Sequence, residues 1–173
     1  GVVLESFKSS LWRHSQWGER PKLAVLSVVG NLTGGGSRVP GAKQVSASAV
    51  EKGVRKLAMA GDVKGVLVRI DSGGGGIGAS DAMYKAVRGL SLRKPVVNSM
   101  ASVAASGGYW LSLAGDEIYA LPCSIVGSIG VISSGFGFQD LIARHGIERR
   151  VHTSGKDKGF LDPFQDEKPG DVK

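Results

Sequence analysis

The sequence has little with which to staple a chain, cross a bilayer or hold a phosphate. It contains one cysteine in 173 residues, Cys123, so no internal disulfide framework can form. A lone cysteine in this composition reads as a small buried hydrophobe. No apolar run approaches the ~20 residues that a bilayer-spanning helix needs. The opening Gly1-Val-Val-Leu4 is too short for the apolar stretch of a signal peptide. The first residue is not Met, so a processed form or an excised piece is expected. There is no G-x-x-x-x-G-K-[ST], which removes a phosphate-cradling P-loop. There is no G-x-S-x-G either, so an α/β-hydrolase elbow is not supported. Only three histidines, His14, His145 and His152, are available as bases.

Glycine, by contrast, is abundant. Its 27 residues are more than twice the usual share, and most sit in clusters, as in backbone turned tightly around something. An apolar content of 42% is that of a globular chain, and the length suits one domain with a real core. The net charge of +7 suits a soluble basic surface, an anionic membrane face or nucleic acid. The basic residues are scattered, with no basic stripe interleaved with aromatics, so no nucleic-acid partner is expected.

Taken in order, Val2 to Trp17 has Phe7, Leu11 and Trp12 at helix-like spacing and reads as a peripheral helix or arm, closed by a linker from Gly18 to Pro21. Lys22 to Val29 is a strand. Gly30 to Lys43 reads as a mobile glycine-rich loop. Ser46 or Ser48 caps a helix carrying Val50, Val54, Leu57 and Ala58 on one face. Val63 to Ile70 is a buried strand, Ala79 to Leu90 a helix, Pro95 to Met100 a strand and Ser106 to Ala114 a helix. Glu117 to Ala120 is a short strand, followed by a small-residue loop and strand to Ile132. Phe138 to His145 is a helix and Ile147 to His152 a strand. Alternation of this kind predicts an α/β fold with parallel pairing, in which ligands gather at the carboxyl ends of strands.

Two glycine turns fall at such ends. In the first, Gly73, Gly75 and Gly78 fit G-x-G-x-x-G. The turn follows the second predicted strand rather than the first, and the next strand carries Asn98 and Ser99 where a ribose-binding acid is wanted, which weakens a dinucleotide site. The other use for such a turn is a docking edge for an extended peptide, with one N–H left to hold an oxyanion. The second turn is Ser106-Gly107-Gly108. A hydroxyl at a helix start is either an N-cap or a nucleophile near free N–H groups. A nucleophile needs a base. His145 ends a helix, where a cation suits the dipole. Lys156 or Lys158 is the alternative, and a lysine base must be neutral. Its pKa must fall roughly 3 units below about 10.4 through burial, with Ser124 or Ser128 as a neighbouring hydroxyl.

Four segments carry a family resemblance. They are Arg69-Ile-Asp-Ser-Gly-Gly-Gly75, Val103-Ala-Ala-Ser-Gly-Gly-Tyr109, Gly127-Ser-Ile-Gly-Val131 and Thr153-Ser-Gly-Lys-Asp-Lys-Gly159. From about residue 22 to 165 the chain resembles the signal peptide peptidase A family of serine peptidases, which includes protease IV and SohB-like members. The resemblance implies a ClpP/crotonase-like spiral of ββα units over 22–173, beyond an arm at 1–21, with the family's closing region cut off after Lys173. It implies Ser106 as nucleophile, Lys158 as general base and Ser128 as the hydroxyl orienting that lysine. Gly107, with Gly74 or Gly75, would form the oxyanion hole, and Gly76 and Ile77 would line the substrate edge. It further implies peptide substrates such as signal-peptide remnants, homo-oligomers sharing sites between subunits, and membrane association on an extracytoplasmic face or an organelle membrane. Neither cofactor nor metal is expected. Gly73 stands where the family has proline, and Asp71 where it has asparagine. A non-catalytic peptide-binding subunit and a crotonase-type acyl-CoA enzyme are the competing readings. No pair of acidic residues beside the glycine turns supports the latter.

Overall fold

A computed structural model describes residues 2–6, 21–35, 41–132, 135–152, 154 and 162–164. The chain divides into two units, 1–130 and 131–173.

The first unit is a six-stranded sheet with helices. Strand β2 (Lys22–Val29) pairs in parallel with β5 (Val63–Ser72), and β5 with β6 (Val96–Ala105). Strand β1 (Val2–Ser6) lies antiparallel to β2. Residues 2–6 of the N-terminal arm are thus a strand rather than part of a helix, because the edge of β2 offers a row of N–H and C=O groups with which they pair. Phe7, Leu11 and Trp12, which carry the helical spacing, lie outside the described residues. Strands β3 (Asn31–Thr33) and β4 (Gln44–Ser46) form a small parallel pair. The stretch read as a loop from Gly30 to Lys43 therefore contains a strand, and Leu32 within it is fully buried.

Helix α1 (Ala47–Met59) starts at Ser46, whose Oγ accepts the Ala49 N–H at 3.3 Å. Lys94 Nζ donates to Leu57 and Ala60 carbonyls at its other end, meeting carbonyls that the helix leaves unpaired. Helix α2 (Ile77–Ser91) packs beside α1. Along β5 the inward residues alternate, Val66, Val68 and Ile70 being buried and Leu67 and Arg69 exposed. One sheet face is thus covered. Leu26, Val28, Val68 and Ile70 join Val50, Leu57, Met83, Val87 and Leu90 in a single core, each large side chain contributing about 1.5–3 kcal/mol.

Strand β6 is longer than the sequence suggested and ends at Ala105, not Met100. Its last five residues are mostly too small to signal a strand; partners on both sides hold them. Residues 97–100 pair with β7 (Glu117–Ala120), and residues 103–105 with β8 (Ile125–Gly127). Helix α3 (Gly107–Ser112) follows directly. Cys123 is exposed rather than buried. It sits in a turn closed by Ser124 N–H to Leu121 C=O at 2.9 Å, with Pro122 before it.

In the second unit, α4 (Gln139–Arg144) ends at His145. Arg149 pairs with Asp162 and lies 5.2 Å from the Phe164 ring centre. The strand expected over Ile147–His152 is irregular chain: among the described residues no strand lies beside it to complete a ladder.

Candidate active site

Strand β6 delivers Ser106 to the head of α3 in a conformation that L-residues rarely adopt, φ 49° and ψ −120°. Its carbonyl begins the helix by accepting the Trp110 N–H at 2.9 Å. Its hydroxyl makes no capping bond. Ser106 therefore occupies an N-cap position without using its side chain as a cap. The half-buried Oγ is left for something else.

The neighbours over-determine this strained backbone. The Ser106 N–H donates to Gly127 C=O at 2.9 Å. Gly74, at φ +100°, lies so close that a Cβ there would stand 2.8 Å from both Ser106 Cβ and Gly107 N. A Cβ on Gly107 would meet Ser80 Oγ at 2.1 Å, and one on Gly108 would meet Ser72 C=O at 2.5 Å. Only bare backbone lets the two glycine turns come together. Ser80 is held in place by donating to Gly76 C=O at 3.0 Å.

The first turn is anchored on one side. Gly74 N–H donates to the buried Ser72 Oγ at 3.1 Å. Leu32 N–H donates to Gly74 C=O at 2.9 Å, and Gly76 N–H to Leu32 C=O at 3.0 Å. Leu32 and Gly75 form a parallel bridge, so alternation turns the N–H and C=O of Gly75 to the opposite edge. The edge from 72 to 78 is therefore half taken by β3. Among the described residues, neither Gly75 N–H nor Gly107 N–H meets an acceptor. Gly75, Gly76 and Ile77 are exposed.

Ser128 stands next to Ser106 by register. Ala105 pairs with Gly127, and each strand then runs into a serine at φ 49°. Among the described residues these two serines are the only non-glycine positions at positive φ. Ser124 is occupied otherwise, donating to Ala101 C=O at 2.6 Å and accepting the Leu121 N–H at 3.1 Å. His145 and His152 are exposed in the second unit. His14, Lys156 and Lys158 lie outside the described residues. The described residues contain no cluster of His, Cys, Asp or Glu that could hold a metal ion, and no helix long and apolar enough to cross a membrane.

Residues 89–171 match the sequence model of peptidase family S49. This segment, just under half of the chain, is similar to that family. The matched segment takes in Ser106, Gly107, Ser128 and Lys158 and begins after the first glycine turn. The chloroplastic serine protease SPPA of Arabidopsis thaliana is 33% identical over 147 residues, 84% of this chain and 22% of the relative. A Na(+)/H(+) antiporter NhaA of Brucella abortus is 50% identical over 109 residues, 62% of this chain and 15% of the relative. The chain thus spans under a quarter of these curated relatives. Among solved structures, an enoyl-CoA hydratase/isomerase family member superposes with TM-score 0.50 at 14% identity, covering 85% of this chain and 53% of that one. The likeness agrees with a crotonase-like α/β fold and carries no chemistry with it.

Sequence reasoning missed three supporting residues. Leu32, inside an apparent loop, braces the first turn, Ser80 fills the space under Gly107, and Asp71 bonds across to β6. Only Asp71 had a signal, as a departure from the asparagine of the resembled family.

Proposed function

We propose that the chain is the catalytic part of a serine peptidase acting on extended apolar peptides such as signal-peptide remnants. Ser106 Oγ attacks the peptide carbonyl, and neutral Lys158 takes its proton and returns it to the leaving amine. Water then releases the acyl group from Ser106. Ser128, one register step away, orients the lysine. Gly107 N–H and Gly75 N–H hold the oxyanion. Of the two glycines left open by the sequence, Gly75 is favoured, because Gly74 N–H is already spent on Ser72 Oγ. Gly76 and Ile77 flank the peptide. Lys158 is supplied by the same or a neighbouring copy, and the full-length protein works at a membrane surface.

The observation that carries this reading is the strained Ser106, whose hydroxyl makes no capping bond, followed by a Gly107 N–H that meets no acceptor among the described residues. A serine-directed fluorophosphonate tests it. Labelling should fall on Ser106, be lost in Ser106→Ala, and slow at least about a hundredfold in Lys158→Ala, in line with loss of a general base. An unlabelled, folded protein would leave a peptide-binding subunit. Retention of acyl-CoA by that unlabelled protein would point instead to acyl-CoA chemistry.

A further inference from the structure

The β5–β6 ladder keeps step from Val66↔Val96 to Ile70↔Met100, then jumps to Ser72↔Ala104. One residue of β5, Asp71, stands opposite three of β6, residues 101–103. A register break of this kind frees backbone donors from the ladder and lets the strand bend. Asp71 takes up one of them: its Oδ1 accepts the Val103 N–H at 3.2 Å. Its own carbonyl accepts the Gly30 N–H at 3.0 Å, tying in the chain that leads to Leu32. One residue on, Ser72 Oγ fixes Gly74. Three residues beyond Val103 comes Ser106. Asp71 thus touches both arms of the proposed site at the point where they part.

We infer that Asp71 is a positioning residue whose side-chain oxygen closes the register break and sets Ser106 and Gly107 against the turn that carries Gly75. The inference rests on the proposed peptidase reading for its kinetic consequence but not for the bond itself. What the clamp requires is an acceptor at this distance from Cα. Negative charge is not required. Two variants separate these. Asp71→Asn keeps an oxygen in place and drops the charge, whereas Asp71→Glu keeps the charge and moves the oxygen by one methylene.

Amide hydrogen exchange at Val103 and Ser106 and the kcat and KM for a peptide substrate are measured in both variants. The expected result is parental behaviour for Asp71→Asn. For Asp71→Glu, faster Val103 exchange and a kcat lowered about ten- to hundredfold are expected, with KM within about twofold, as for a misplaced reacting group. Asp71→Asn as damaged as Asp71→Glu would overturn the proposal, as would Asp71→Glu with parental exchange and kcat. Faster exchange with unchanged kcat would also overturn it. If the parent neither labels nor cleaves, the peptidase reading fails by itself. Val103 exchange then decides the clamp: faster in Asp71→Glu alone supports it, and unchanged removes it.

Discussion

Among the described residues two serines stand at helix starts, and they are used in opposite ways. Ser46 enters α1 from a relaxed extended backbone, φ −89° and ψ 144°, and spends its hydroxyl on the Ala49 N–H. Ser106 enters α3 at φ 49° and ψ −120° and spends its hydroxyl on nothing in the helix. The difference lies in what surrounds each. Ser46 ends a three-residue strand and is free to choose a comfortable conformation. Ser106 is gripped by Gly127 C=O on one side and wedged by Gly74 on the other. Residue type and helix position do not set the two serines apart. The backbone angle and its neighbours do, because strain of about 1–3 kcal/mol persists only where packing enforces it.

The comparison can be broken by substitution, beginning where the effect is largest. Ser106→Ala should abolish fluorophosphonate labelling while the melting transition stays within about 0.5 kcal/mol of the parent, since no hydrogen bond is lost. A marked loss of stability would make Ser106 a structural residue after all. Gly74→Ala adds a methyl 2.8 Å from Ser106 Cβ at a φ of +100°. It should cost about 1–3 kcal/mol by denaturant titration and lose labelling as well. Ser46→Ala should show the reverse of Ser106→Ala, costing about 1 kcal/mol and leaving labelling at the parental rate. Ser46→Asp, another good cap, should recover the stability.

Ser46 and Ser106 also show how far the sequence could be read. The cap is legible to within two residues, Ser46 or Ser48, because it is local: a serine just ahead of an apolar stripe. The strands at Lys22–Val29 and Glu117–Ala120 were legible for the same reason. Ser106 was legible as a candidate from the glycines after it and from the resemblance those residues carry. Its strained angle was not, because Gly74 and Gly127, distant in sequence, impose it. Strand β6 continued to Ala105 through residues with little strand preference of their own, held by β5 and β8. Val2–Ser6 became a strand because β2 had an open edge. The Leu32–Gly75 bridge has no sequence signature at all, since it joins groups of ordinary type from segments far apart in the chain; the Asp71–Val103 bond had only the departure from asparagine at residue 71 to point to it.

The smallest effect tests whether the two helix starts are independent. At the far end of α1, Asp62 pairs with Lys22 at 2.5 Å, and the Lys22 N–H donates to Asp62 C=O at 2.8 Å. The hydrogen bond from Lys22 holds the Asp62 carboxyl below the usual carboxylate range. The folded chain therefore binds this proton less readily than the unfolded chain, whose aspartate titrates near 3.9. The stabilisation is complete above that value and is lost as pH falls through the lower, folded one. Asp62→Asn should lower the melting temperature slightly at neutral pH, and the gap to the parent should close in acid. Labelling of Ser106 at neutral pH should be unchanged, because the pair ties the start of β2 to the turn after α1 and touches neither glycine turn. A variant that labelled more slowly at neutral pH would mean that the α1 side of the sheet and the Ser106 elbow do not act separately, and the contrast between the two serines would lose its basis.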